Sequence, residues 1–244
     1  MRSIRCYVDQ PLAPGGLAML PETAAGHLVR VLRLGVGDPV LLFNGDGHDF
    51  AARLVSVGKR GAEAEVIDAR PVENESALRI TLAQGIARGD KMDWVLQKAT
   101  ELGVAAFAPV STERTEVKLD ADRAAKRLAH WQGIVVAACE QSGRARLPVL
   151  GEPLSLANYA VAETAPVKLM LDPTAELGLH DLALPAAAEV ALLVGPEGGL
   201  SERDLATARA AGFRGLRLGP RILRTETAGL AAIAALQALY GDLA

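Results

Sequence analysis

Apolar and polar positions change rhythm about a third of the way along the chain. From Ile4 to about Ile67 the apolar runs are short, as in Val40-Leu41-Leu42-Phe43 and Ala51-Ala52-Arg53-Leu54-Val55. Gly15-Gly16, Gly35, Gly37-Asp38 and Asn44-Gly45-Asp46-Gly47 punctuate them. Short runs closed by Gly, Asn and Asp predict antiparallel strands in a compact β-barrel. One short helix is expected over residues 22–32, with Leu28, Val31 and Leu32 at helical spacing after Pro21. The polar stretch 70–76 reads as a linker, which divides the chain into domains of residues 1–70 and 75–244.

Past the linker, strands and helices alternate. Strands are predicted at 79–83, 105–110, 167–171, 190–194 and 216–218, and helices at 90–102, 120–141, 201–211 and 225–240. Near-continuous apolar strands joined by helices predict an α/β fold whose parallel sheet is covered on both faces. In such sheets ligands collect at the carboxyl ends of the strands.

Two loops at those ends carry candidate chemistry. Ala191-Leu192-Leu193-Val194 runs into Gly195-Pro196-Glu197-Gly198-Gly199-Leu200, after which Ser201 and Asp204 have the spacing of a capping box. Three glycines and a proline let a backbone approach a ligand with no Cβ in the way, although the same composition makes an ordinary tight turn. No G-x-G-x-x-G and no Gly-Lys-Ser/Thr occurs, so a nucleotide would be held by backbone amides and carbonyls without a phosphate cradle. The second loop follows Leu218: Gly219-Pro220-Arg221-Ile222-Leu223-Arg224-Thr225-Glu226-Thr227-Ala228. Ile222 and Leu223 offer an apolar clamp, and Thr225-Glu226-Thr227 opens the last helix. Residues 205–225 contain Arg209, Arg214, Arg217, Arg221 and Arg224 and no acid, which suits either a solvated face or an anionic substrate.

Composition narrows the classes. Half of the 244 residues are hydrophobic and the formal net charge is -3, which excludes a disordered chain. Cys6 and Cys139 lack zinc or redox spacing and read as buried thiols in a reducing compartment. No apolar segment follows Met1 to Arg5, and the stretch 228–240, interrupted by Gln237, is shorter than the roughly 20 residues a bilayer requires. A cytoplasmic protein without membrane or metal partners is expected. Residues 1–70 hold 8 bases and 8 acids, and residues 71–244 hold 18 and 21. Net charge averages over a surface, so this balance leaves room for a local basic patch.

Taken together, the two loops resemble the paired signature of the RsmE family, small-subunit (16S) ribosomal RNA uridine-N3 methyltransferases of the SPOUT superfamily. The resemblance extends in order through His27-Leu28-Val29-Arg30-Val31-Leu32-Arg33 with Gly37-Asp38, through Lys91 to Gly103, Thr112-Glu113-Arg114-Thr115 and Glu140-Gln141-Ser142-Gly143-Arg144, departing mildly at Thr112 and Pro220. It implies a homodimer, an N-terminal PUA-like β-barrel that binds RNA, and a SPOUT methyltransferase domain with a C-terminal trefoil knot around a parallel sheet. S-adenosylmethionine would be held by the loops after Leu171, Val194 and Leu218, through Gly195, Pro196, Gly198, Gly199, Gly219, Ile222, Leu223, Thr225, Thr227 and Ala228. The partner would be ribosomal RNA or the small ribosomal subunit.

Methylating N3 requires loss of the imide proton, and the resulting charge spreads onto O2 and O4. Arg224 is the candidate to stabilise that charge or to grip a phosphate. Glu197 is the first candidate for the general base, for which a raised pKa is expected, and Glu226 the second. Shaping of the cofactor loop through a backbone hydrogen bond is an equal reading of Glu197. RNA contacts are expected from Arg30, Arg33, Arg114, Arg144, Arg146 and Arg221. Two alternatives stand beside this reading: a knotted methyltransferase acting on another RNA such as tRNA, and a non-catalytic RNA-binding assembly factor of the same fold.

Overall fold

Alternation of inward apolar and outward polar side chains builds the first unit of the computed structural model, which describes residues 4–26, 28, 32–58, 61–117 and 121–243. This unit runs to Glu75 and also takes in Cys139–Leu147. Its strands are β1 (Arg5–Tyr7), β2 (Leu17–Leu20), β3 (Pro39–Phe43), β4 (His48–Gly58) and β5 (Gly61–Pro71). They form one sheet in the order β1-β3-β4-β5-β2, antiparallel except for the parallel pairing of β1 with β3. Ala18, Leu20, Val40, Leu42, Leu54, Ala64 and Val66 turn inward from it and form the core with Leu28. The helix α1 (Glu22–Gly26) lies within the expected span 22–32, of which His27 and residues 29–31 lie outside the described residues.

The expected linker is only partly a linker. β5 continues through Arg70 and Pro71 because β4 offers partners that far, Asp49 and His48. Beyond the strand, Val72 N–H bonds to Gly47 O, Asn74 Nδ2 donates to Gly143 O and Glu75 pairs with Arg144, so the stretch is pinned by its own polar groups.

The second unit comprises Ser76–Ala138 and the chain from Pro148 onward. Its order is β6 (Arg79–Gly85), α2 (Asp90–Glu101), β7 (Ala106–Ser111), α3 (Ala121–Ser142), β8 (Val149–Leu150), β9 (Leu154–Ser155), α4 (Leu156–Ala162), β10 (Val167–Leu171), β11 (Glu189–Val194), α5 (Glu202–Ala210), β12 (Arg214–Leu216) and α6 (Thr225–Tyr240). All strand pairings are parallel, in the order β12-β10-β11-β6-β7-β8 with β9 also on β7. Successive residues of each strand serve opposite layers, as the pleat requires. Leu82, Leu169 and Leu192 join Val95 of α2 and Ile233 of α6, whereas Ala83, Met170 and Leu193 join Tyr159 and Phe213 on the other face.

The capping box forms: Ser201 Oγ accepts from Asp204 N–H at 3.1 Å and Asp204 Oδ2 accepts from Ser201 N–H at 2.9 Å. β12 ends at Leu216, two residues before the expected limit, because Arg217 turns to bridge Gly178 and Leu218 already belongs to the loop. The two-residue strands and α4 were too short to register as periodicity. From β12 at the sheet edge the chain returns to pack α6 against β6, β11 and α2. Among the described residues, no helix is long and apolar enough to cross a membrane.

Candidate active site

β12, β10 and β11 lie side by side and run in the same direction, so the loops leaving their carboxyl ends meet. They enclose a pocket of about 700 Å3. Leu171 contributes from the first loop, and Gly195, Pro196, Gly198 and Gly199 from the glycine-rich one. Leu218, Gly219, Ile222, Leu223 and Thr225 complete it from the third, together with the candidate catalytic residues Glu197, Arg224 and Glu226. Three residues expected at the cofactor do not line this pocket. Val194 is the last residue of β11 and is buried in the core, whereas Thr227 and Ala228 lie on the first turn of α6, exposed and packed on the core respectively.

The glycine-rich loop is both a tight turn and a pocket wall. Gly199 N–H bonds to Pro196 O at 2.8 Å, closing the turn. The turn crosses the end of β6 so closely that a Cβ on Gly85 would stand 2.4 Å from Pro196 N. A residue that sequence reasoning did not single out then fixes it. Gln84 is fully buried, and its Nε2 donates to Gly85 O at 3.0 Å and to Thr225 Oγ1 at 2.8 Å. Thr225 Oγ1 donates in turn to Gly195 O at 2.6 Å. The relay joins β6, the glycine-rich loop and the start of α6. Its signal in the sequence is a polar residue inside the apolar run Ile80 to Ile86.

Glu197 points away from base chemistry. Its Oε1 accepts from Arg88 N–H at 3.0 Å and from Lys91 Nζ at 3.2 Å. Burial alone would raise its pKa, but these bonds, with one from its own N–H, outweigh burial and hold the carboxyl below the ordinary carboxylate value. A carboxylate stabilised in its charged form is a poor proton acceptor at neutral pH. The raised pKa expected of a general base is therefore corrected: Glu197 ties the loop to the segment that opens α2. Glu226, in the first turn of α6, behaves differently. Its Oε2 is buried and has no hydrogen-bond partner among the described residues.

The arginines separate as well. Arg224 is exposed at the N-cap of α6 and makes no ion pair among the described residues, and Arg221 is exposed on the pocket wall. Arg114 lines the pocket too, but its Nη1 donates to Gly198 O at 2.9 Å, so it also holds the loop. Arg209 is committed to the buried Asp172 at 3.1 Å. In the first unit, Arg33 is exposed with φ 58°, and Arg146 is exposed with its guanidinium across Gly47. Arg144 is a correction: it is 4% exposed and its Nε donates to Glu75 Oε1 at 3.0 Å, so its charge is neutralised internally and is not presented to RNA. Arg30 lies outside the described residues.

The pocket fits a nucleoside-bearing sulfonium. Leu171, Leu205, Leu216 and Leu218 supply apolar wall for a base, glycine backbone supplies polar atoms without side-chain obstruction, and Ile222 stands 84% exposed at the wall as an apolar flap.

Comparison with known proteins agrees with that geometry. The family model for the RNA methyltransferase domain matches residues 74–237, and that for the RNA methyltransferase PUA domain matches residues 20–67. The chain is 31% identical over 240 residues to ribosomal RNA small subunit methyltransferase E of Buchnera aphidicola subsp. Schizaphis graminum, covering 98% of this chain and 97% of that protein. Among solved structures it is similar to a putative methyltransferase of Legionella pneumophila in complex with bound SAM, with TM-score 0.95 and 40% identity over the whole of both chains. It is also similar to ribosomal RNA small subunit methyltransferase E of Neisseria gonorrhoeae bound to S-adenosyl methionine, with TM-score 0.92 and 43% identity over the whole of both chains. The chain therefore belongs to the RNA methyltransferase family, among the ribosomal RNA small subunit methyltransferase E proteins.

Proposed function

We propose that this protein transfers a methyl group from S-adenosylmethionine to N3 of a uridine in small-subunit ribosomal RNA. The observation that carries the reading is the pocket at the ends of β10, β11 and β12, with apolar and glycine lining and with Arg224 and Glu226 among the residues that line it. S-adenosylmethionine supplies an activated methyl group, which leaves the protein to align the nucleophile and exclude water. The three loops hold the cofactor. Glu226, which lines the pocket and whose buried Oε2 lacks a partner among the described residues, takes the imide proton from N3. Arg224 donates to the anion on O2 or O4, in the manner of an oxyanion hole, or grips a phosphate of the same nucleotide. The target base enters the pocket flipped from its RNA, and Arg221 and Arg114, which also line the pocket, are available to its backbone.

The proposal extends to the domains of residues 1–70 and 75–244, to an RNA-reading role for the first through Arg33 and Arg146, and to a homodimer in the cytoplasm. It also includes the trefoil knot, for which the return of α6 from the sheet edge to β6 and β11 is supporting topology. Methyl transfer to unmodified small ribosomal subunits, followed by nucleoside mass analysis, tests it. 3-Methyluridine is the expected product. A methyl on another base or on ribose removes the N3 assignment, and no transfer to any RNA removes the enzyme.

A further inference from the structure

Asp172 stands where β10 opens into the first pocket loop, and with Pro173 and Thr174 it lines the pocket. It is 4% exposed, and each of its hydrogen-bonding groups is engaged. Its Oδ1 accepts from Thr174 N–H at 2.9 Å and from Thr174 Oγ1 at 2.7 Å, and its Oδ2 accepts from Arg209 Nη2 at 3.1 Å. Its N–H donates to Leu216 O of β12 at 3.1 Å, and its O accepts from Ala175 N–H at 3.1 Å, closing a turn. That turn is packed hard on β12: a Cβ on Gly215 would stand 3.0 Å from Ala175 Cβ and 3.4 Å from Asp172 Cβ. One residue thus joins the first loop, β12 and α5.

A carboxylate buried this deeply is costly without a counter-charge. Arg209, a member of the acid-free arginine run, supplies it from the last turn of α5. Arg209 is not among the residues that line the pocket, so it reaches a ligand there through Asp172. A basic residue in the last turn also suits the dipole of α5, but that role needs no buried acid. Without Arg209, Asp172 either takes up a proton or turns toward water. In both cases the charge-assisted bonds that hold Thr174 weaken, and the ligand has to order the loop when it binds.

We propose that Arg209 is a positioning residue for S-adenosylmethionine, holding the first pocket loop in its binding shape through Asp172, an inference that rests on the cofactor reading of the pocket. Arg209→Ala should raise the Kd for S-adenosylmethionine in calorimetry, and its KM, about tenfold, as loss of one charge-assisted bond does. kcat at saturating cofactor and KM for unmodified small ribosomal subunits should stay within about twofold. Arg209→Lys, which returns a cation to Asp172, should recover most of the affinity. Asp172→Asn should raise the Kd by a similar factor, and the double variant by little more than either alone, because the two act as one unit. A lower Tm with a wild-type Kd in Arg209→Ala would leave a plain structural ion pair and overturn the proposal. A raised KM for the subunits with a wild-type Kd would make Arg209 an RNA contact and overturn it too, as would additive losses in the double variant. Where Arg209→Ala does not fold, a wild-type Kd in Asp172→Asn overturns it equally. A wild type that binds no S-adenosylmethionine overturns the cofactor reading instead, and the positioning role with it.

Discussion

The relay from Gln84 through Thr225 to Gly195 gives the sharpest test of how the pocket is held. Thr225→Val keeps the shape of a β-branched side chain and removes its hydroxyl. Two bonds are lost: Gln84 Nε2 to Thr225 Oγ1 at 2.8 Å and Thr225 Oγ1 to Gly195 O at 2.6 Å. Gln84 is fully buried, Thr225 is 7% exposed, and Gln84 Oε1 already lacks a partner among the described residues. At about 1 kcal/mol net per hydrogen bond the loss is about 2 kcal/mol, and more if Gly195 O stays unpaired. Part of this weakens the fold and part must be supplied when the ligand orders the loop. If all of it fell on binding, the Kd for S-adenosylmethionine would rise about 30-fold, since each 1.4 kcal/mol is a factor of ten. A rise of about 5- to 30-fold in calorimetry is therefore expected, with a fall in Tm of a few degrees. Thr225→Ser, which restores the hydroxyl, should recover most of the affinity. Wild-type affinity and Tm in Thr225→Val would refute the idea that this relay fixes the glycine-rich loop.

Glu226→Gln should lower kcat by about 10² to 10⁴ with a Kd for S-adenosylmethionine within a few-fold of wild type; retention of kcat in single-turnover assays would return the search for the base to other groups. Glu197 has a lowered pKa, so its charged form contributes stability that is complete above the ordinary value of 4.5 and lost only as pH falls below it. Thermal melts of the wild type against Glu197→Gln should accordingly differ by a constant amount from pH 5 to 8 and converge in acid, and a difference that grows toward pH 8 would contradict the loop-tie role. Arg144→Ala should destabilise the first unit by roughly 2 kcal/mol in denaturant titrations, less than a fully buried pair because Glu75 remains 27% exposed. A loss of RNA binding with unchanged stability would instead restore Arg144 as an RNA contact.

What the sequence made legible was periodic or local. The alternation of strands and helices yielded the parallel sheet, with Val167–Leu171 and Thr225–Tyr240 placed to the residue, because apolar period and capping chemistry are written in neighbouring positions. Both cysteines are buried, as their lack of ligand spacing suggested, and burial pushes each thiol up to about 12. The glycine-rich loop and the one after Leu218 were legible as pocket walls for the same reason, since strand ends and glycines can be found without knowing the contacts.

Charge roles stayed open where the partner lay far along the chain. Glu197 read equally as a base and as a shaper of the cofactor loop, and what favours the second is an N–H of Arg88, 109 positions away. Arg144 read as an RNA contact among the arginines outside the loops, yet its carboxylate is Glu75, 69 positions away. An unpaired acid and a paired one look alike in sequence, and only the partner decides whether the charge is stabilised or left to act. Gln84 illustrates the converse, since nothing local explains an amide among Ala83, Gly85 and Ile86. A buried polar group costs free energy unless it is bonded, so such a residue implies a distant partner even when the partner cannot be named. Applied to β6, that rule would have pointed to a distant hydroxyl or carbonyl, and the hydroxyl is that of Thr225 at the start of α6.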